Sequence, residues 1–348
     1  MSNNRTWPVL PDIVEEMLLE WHKAYPDLTQ LDSVTGYTGQ KTYAVAITDS
    51  SEPATEKVQL LFFQPHGHEP AQTVAAMEAI CQLLTGKTLS GERSNLERYE
   101  ILRRAVLVIN PIGNPDGRLR LPTDCWTDEH TIRETIFYCD GKLRGDPENF
   151  FDPDGLVGHR IGRFRVADYD FDPDYPIGQR YEQVAEGLYS DPWSDPAENL
   201  EDNPTSLAAL VRMMMDRYRF KAVLDLHQYP NEDFVHVWIP TLSDPEAQEM
   251  SERLADRVKG DWGAAGYHVR YPNYYGSRSK FINAVHEYGP TRPAINTIEI
   301  GSGVEHLNAL MDRETQRGAA FSAIKSALRF YCGLPGPFQA GLPPGHTR

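Results

Sequence analysis

Short apolar runs alternate with helical segments along most of this chain, and this alternation constrains its fold more than any other feature. Six runs are typical of strands: YAVAITDS (43–50), VQLLFFQ (58–64), AVLVIN (105–110), KAVLDLH (221–227), FVHVWIP (234–240) and AINTIEI (294–300). Between and around them, apolar residues follow a helical spacing at 10–24, 70–85, 206–218, 247–266 and 314–332. Strands that alternate with helices over most of a chain predict a single sheet covered by helices on both faces.

The residues between about 121 and 205 interrupt this pattern. They are rich in Asp, Pro, Gly and aromatic residues and show little sustained period. Long irregular segments of this kind are typical of binding loops or flexible excursions. We therefore expect one domain over residues 1–335, with a long irregular insertion at about 121–205 and a C-terminal tail at 336–348.

Charge and segment composition narrow the possible partners. The chain has 50 acidic and 34 basic residues and a formal net charge of −16, which disfavours nucleic acid and anionic membrane surfaces. A small-molecule or peptide-like substrate is the expected partner, and the sequence does not indicate an oligomeric state. We see no export signal and no apolar run of about 18 residues, so we expect a cytoplasmic protein. The four cysteines have no CxxC spacing, which favours a reducing compartment.

Polar residues with metal-binding capacity lie at the ends of two predicted strands, and Glu299 lies near the end of a third, AINTIEI. His66 and Glu69 follow the run at 58–64, and His227 ends the run at 221–227. Ligands gather at the carboxyl ends of strands in open α/β sheets, and two histidines with one carboxylate are a common catalytic zinc set. Each residue alone also fits a polar turn or a hydrogen-bonded structural histidine. Only their combination predicts a zinc site.

Four motifs occur in an order and approximate spacing that resemble the zinc carboxypeptidase family, the relatives of carboxypeptidase A. They are HGHE (66–69), NPDG (114–117), VLDLHQY (223–229) and NTIEIG (296–301). The resemblance extends from about residue 40 to 330. It implies a three-layer α/β/α fold with a central mixed, mostly parallel twisted sheet.

The resemblance also implies a role for each matching residue. One zinc ion per chain would be held by His66, Glu69 and His227, with Glu299 as general base and acid. Tyr275 occupies the place of the family's mobile tyrosine, which touches the substrate backbone, although Tyr274 and Tyr288 offer alternative alignments. His68 corresponds to the variable position inside the motif.

Three further roles fall in the irregular insertion. Asp168 matches the aspartate that orients the first zinc histidine, although Asp170 and Asp172 are alternatives. The arginine that stabilises the developing oxyanion is best matched by Arg163 among five candidates, the others being Arg118, Arg120, Arg160 and Arg165. Asp170 and Phe171 stand where carboxypeptidases carry Asn-Arg to hold the free C-terminal carboxylate of a peptide.

This departure bears on the activity that the sequence predicts. An acid and a phenyl ring remove the bidentate anion partner and add repulsion, so we expect hydrolysis of an amide or peptide bond in a substrate without a standard free C-terminal carboxylate. A second hypothesis is a deacylase of small N-acyl amino acids, similar to the aspartoacylase and desuccinylase branch. A third is a non-catalytic binding module, which the presence of Glu299 and all three ligand types disfavours.

Overall fold

The computed structural model describes residues 5–36, 39–67, 69–119, 206–229, 235–270, 274–275, 280–301 and 311–335. The predicted insertion and C-terminal tail lie outside these ranges, so the domain organisation stays a prediction. Within them the chain forms eight strands: β1 (Thr29–Thr35), β2 (Lys41–Ile47), β3 (Val58–Phe63), β4 (Ala105–Asn110), β5 (Ala222–Tyr229), β6 (Val235–Ile239), β7 (Tyr274–Tyr275) and β8 (Ala294–Gly301).

The described helices are α1 (Pro11–Ala24), α2 (Pro70–Thr85), α3 (Arg98–Arg104), α4 (Pro115–Leu119), α5 (Ser206–Arg217), α6 (Pro245–Ala264), α7 (Lys280–Glu287) and α8 (Arg313–Tyr331), with one 3-10 turn at Ala54–Glu56. Several ends follow local chemistry. Proline at the first position starts α1, α2 and α6, where the missing N–H costs nothing. The side chains of Asp244 and Asp312 accept hydrogen bonds from the first turns of α6 and α8.

The strands form one mixed sheet in the order β1-β2-β4-β3-β5-β8-β6-β7. The four central strands β4, β3, β5 and β8 are parallel, whereas β2 and β6 pair with them antiparallel. The central strands are buried along nearly their whole length, which explains their continuous apolar runs. The predicted three-layer fold with a mixed, mostly parallel sheet is therefore confirmed.

Helices cover both faces of this sheet. On one face α2, α6 and α8 pack together and against β5, β6 and β8. On the other face α5 packs on β1 and β2, and Phe281 of α7 meets Phe63 of β3 edge to face. The carboxyl ends of β3, β5 and β8 lie side by side at one edge of this layer, because these strands are neighbours and parallel. This edge carries the predicted ligands.

Candidate metal centre

The three predicted zinc ligands come together at the carboxyl edge of the sheet. The donor atoms of His66, Glu69 and His227 all lie within 4.8 Å of one another. Nδ1 of His66 is 2.8 Å from Oε1 of Glu69, and Nδ1 of His227 is 3.2 Å from Nδ1 of His66 and 3.7 Å from Oε1 of Glu69. All three side chains are buried, so the donors form a compact triangle shielded from solvent.

The size of this triangle fits zinc. Bonds of about 2.0–2.2 Å to nitrogen and oxygen at tetrahedral angles separate neighbouring donors by roughly 3.3–3.6 Å. The three observed separations, from 2.8 to 3.7 Å, lie on either side of that range. Two imidazoles and one carboxylate are also a donor set that zinc accepts while leaving a position open. These residues are therefore able to hold a zinc ion with only small movements of their side chains.

The turn between β3 and α2 carries two of the donors. Gln64 continues the pairing beyond β3, because its N–H donates to the carbonyl of Asn110 at 3.1 Å and its carbonyl accepts from Gly113 N at 2.7 Å. The amide of its side chain donates to the carbonyl of His66 and lies 3.5 Å from Oε2 of Glu69. The turn is thus fixed by one buried glutamine on the strand side.

Hydrogen bonds from α2 fix the third donor relative to the first two. The side chain of Gln72 donates to the carbonyl of His227 at 2.5 Å, and Ala71 N donates to the side chain of Gln228 at 3.1 Å. Gln228 in turn donates to the side chain of Gln316 on α8 at 2.7 Å. The main chain of β5 is therefore tied to the first turn of α2, directly after Glu69.

Opposite charges inside the site shift two pKa values. Burial opposes the ionised form of Glu69, but the adjacent His66 and His227 outweigh it and hold the pKa of Glu69 far below its usual range. Burial likewise lowers the pKa of His227, but Asp225 and Glu69 outweigh this effect and raise the pKa well above its ordinary value. The site therefore favours an ionised carboxylate, and a metal ion would compete with a proton for His227.

Asp225 is a site residue that sequence analysis missed. Its Oδ1 lies 2.7 Å from Nε2 of His227, and its Oδ2 accepts a hydrogen bond from Thr297 Oγ1 at 3.1 Å. Side chains two positions apart in a strand point to the same face, so the Asp-Leu-His sequence at 225–227 contained the signal. Thr297 required the register of β5 and β8, which pairs it with Asp225.

Glu299 stands beside the ligand triangle. It is paired with His227 across the parallel strands β5 and β8, which places their Cα atoms about 5 Å apart, and it is 2 % exposed. On its other side it is paired with His236 of β6, which is also buried and whose ring centre lies 5.3 Å from that of Trp238. His227, Glu299 and His236 thus form a row across three strands, and sequence analysis did not single out His236.

The other predicted site residues have different outcomes. Arg163, Asp168, Asp170 and Phe171 lie outside the described residues, as do His68, Asp172, Arg120, Arg160 and Arg165. The backbone of Tyr275 is in β7 and pairs with Ile239 at the sheet edge. The hydroxyl of the alternative Tyr288 donates to Asp216 near the C-terminal end of α5 at 2.9 Å. Asp216 lies ten residues along α5 from Ser206, a distance of about 15 Å. Ser206 is at the opposite end of α5, where its hydroxyl group contacts that of Thr42.

Arg118, the remaining oxyanion candidate, lies close to this network. It is buried, and its Nη2 donates to Thr73 Oγ1 in the first turn of α2 at 3.3 Å. Thr73 donates in turn to the side chain of Gln64 at 3.5 Å. The arginine of the NPDGR sequence is therefore linked to the turn that carries His66 and Glu69.

Comparisons with known proteins agree with this geometry. The profile of the zinc carboxypeptidase family matches residues 14–287. Carboxypeptidase A from Helicoverpa armigera is similar in structure, with a TM-score of 0.57 and 13% identity over 92% of this chain and 73% of that one. A metallo-carboxypeptidase from Burkholderia cenocepacia is similar with a TM-score of 0.53 and 12% identity over 91% of this chain and 69% of that one.

No curated protein matches the sequence. None of the helices in the described ranges combines the length and apolarity that a bilayer crossing requires. Because the family profile covers most of the sequence and the fold agrees with it, the chain belongs to the zinc carboxypeptidase family.

Proposed function

We propose that this protein is a hydrolase that cleaves an amide or peptide bond, with one zinc ion per chain held by His66, Glu69 and His227. The observation that carries the proposal is the convergence of two imidazole nitrogens and one carboxylate oxygen within 4.8 Å at the carboxyl edge of the sheet. Zinc bound by such a set lowers the pKa of a water molecule and polarises a carbonyl group. Metal-dependent peptide hydrolysis is also the chemistry that family membership implies.

Glu299 is the general base and acid in this proposal. It is paired in register with His227 and buried, so its carboxylate is next to the ligand triangle without being part of it. A carboxylate in this position takes a proton from the attacking water and passes it to the leaving nitrogen. The isosteric amide of a Glu299→Gln variant has no basic oxygen of this kind, but it leaves the three donors in place.

The substrate differs from that of an ordinary carboxypeptidase in this proposal. The sequence resemblance supports this proposal, because Asp170 and Phe171 stand where carboxypeptidases carry the Asn-Arg pair that holds a free C-terminal carboxylate. A carboxylate at this place repels a second carboxylate and attracts an amine. The expected substrate therefore carries a blocked or amine-bearing group next to the bond that is cleaved.

Zinc titration combined with single-turnover hydrolysis tests the proposal. We expect wild-type protein to bind one equivalent of zinc tightly and His227→Ala to lose this binding. We expect Glu299→Gln to keep the equivalent of zinc but to lose about 10²–10⁴-fold in hydrolysis rate. His286→Ala is a matched control, since His286 is equally buried but bonds to Pro293 O at 2.9 Å, and it should bind zinc like the wild type. The absence of a tight site in wild-type protein would refute the metal assignment, and unchanged turnover in Glu299→Gln would remove Glu299 from its role.

A further inference from the structure

A pair of buried side chains behind His227 bears on how this residue binds the metal. Oδ1 of Asp225 lies 2.7 Å from Nε2 of His227, on the side of the ring that faces away from the other two donors. Nδ1 of the same ring lies 3.2 Å from His66 and 3.7 Å from Glu69. The imidazole therefore bridges a carboxylate on one side and the ligand triangle on the other.

Asp225 is itself held in place. Its second carboxylate oxygen accepts from Thr297 Oγ1 at 3.1 Å, and Asp225 and Thr297 are paired in register across β5 and β8. The carboxylate is 2 % exposed and lies in the middle of a strand between two buried leucines. A buried carboxylate costs free energy that an apolar residue here would avoid, so its retention requires a compensating interaction, and His227 supplies it.

We propose that Asp225, fixed by Thr297, is a positioning residue that makes His227 present Nδ1 to the zinc ion. This inference rests on the proposed function, because it takes His227 to be a zinc ligand. A neutral imidazole has one N–H and one lone pair. When Nε2–H is directed to Asp225, the lone pair is on Nδ1, which faces His66 and Glu69. A carboxylate in this position also fixes the ring orientation and raises the basicity of the ligand nitrogen.

Asp225 contacts His227, whereas the sequence resemblance predicts an aspartate partner for His66. The sequence resemblance assigns Asp168 to His66, whereas Asp225 contacts His227 two residues along the same strand. Its role therefore depends only on the local geometry of β5 and β8. Removal of its charge should weaken metal binding without any change in the three donors.

Zinc affinity in three variants tests this inference. Asp225→Asn keeps the shape but removes the charge, and we expect the zinc dissociation constant to rise about 10–100-fold. Thr297→Val should produce a smaller rise in the same direction. Glu78→Gln is the matched control, because Glu78 is also a buried carboxylate, bonded to Gln82 and to Leu89 N. It is nine residues along α2 from Glu69, about 13 Å, so its zinc affinity should stay within about twofold of wild type.

A spectroscopic measurement separates positioning from general stability. In zinc-loaded protein with ¹⁵N-labelled histidine, the two ligand rings are recognised by their response to zinc, and His227 by its response to Asp225→Asn. We expect its proton on Nε2 in the wild type. A proton on Nδ1, or equal zinc affinity in wild type and Asp225→Asn, would overturn the inference. Failure of wild-type protein to bind zinc would instead refute the proposed function. If Asp225→Asn does not fold, the response to Thr297→Val identifies the His227 ring, and the zinc affinity of that variant decides together with the wild-type spectrum.

Discussion

A lysine buried in the middle of α6 should make the stability of this protein depend on pH above neutrality. Lys259 is 1 % exposed and lies between Ala255 and Trp262, which are fully buried residues of the same helix. Burial lowers the pKa of its ammonium group to about 8, although Asp256 acts in the opposite direction. In the unfolded chain the same group has a pKa near its model-compound value of 10.5.

The difference between these two pKa values fixes the sign and the size of the effect. Between about pH 8 and 10.5 the unfolded chain holds a proton that the folded chain has released, so the free energy of unfolding rises with pH. Below pH 8 both states are protonated, and this gain of roughly 3 kcal/mol is absent. Lys259→Met removes this titrating group, so its free energy of unfolding relative to wild type should fall by about 2–3 kcal/mol between pH 7 and pH 10.

Chemical denaturation at several pH values measures this effect. Wild-type and Lys259→Met protein are unfolded with urea at pH 7, 8, 9 and 10. The difference between their free energies of unfolding is then compared between these pH values, because the contributions of other titrating groups cancel in it. Lys57→Met is the control, since Lys57 is also buried but its Nζ contacts the Asp49 carboxylate at 2.8 Å and Leu102 O at 3.0 Å. It should be destabilised by about 2–3 kcal/mol. A difference between wild type and Lys259→Met that stays constant with pH would refute the argument.

Three other predictions concern the site and its supports. A Cβ at Gly113 would lie 2.7 Å from a backbone carbonyl oxygen and from a leucine methyl group. Gly113→Ala should therefore lower the free energy of unfolding by about 1–3 kcal/mol. Gly260 has open space around it, so Gly260→Ala should be neutral or stabilising in the same urea assay. Gln72→Leu removes the bond to the His227 carbonyl, and competition with a chelator should show weaker zinc binding at an unchanged stoichiometry. If Asp170-Phe171 excludes a free C-terminal carboxylate, amidated peptides should be hydrolysed faster than their free-acid forms, and efficient release of ordinary C-terminal residues would contradict this.

The apolar runs predicted the centre of the fold because burial on both faces leaves a clear pattern. AVLVIN at 105–110 corresponds to the whole of β4, and the helical spacing at 70–85 coincides with α2. In contrast, β1 is an edge strand with mostly exposed or half-buried side chains, so it has no apolar run to reveal it. Helix α7 has only eight residues, which is too short for a periodic pattern to stand out.

In the candidate site, too, the sequence predicted some residues but not the pairings between them. His66 and Glu69 are close in sequence, and His227 ends an apolar run, so chemistry and strand position together were enough to predict the triad. The pairing of Asp225 with Thr297, and of Glu299 with both His227 and His236, depends on the register of β5, β8 and β6. Register is set by contacts between strands that are distant in sequence, and a single sequence does not contain it.

The supports of the site show why a metal ion can enter it without disturbing the fold. His66 and His227 are 161 residues apart in sequence, yet their main chains are joined through bonds from Gln72 and Ala71 of α2. These bonds involve backbone atoms and glutamine side chains, and none of them uses a donor atom of the triangle. Zinc would therefore take the place of contacts among His66, Glu69 and His227, while the bonds from Gln72 and Ala71 would stay intact. We infer that binding requires rotation of three side chains about a fixed frame, which is the pre-organisation that a catalytic metal site needs.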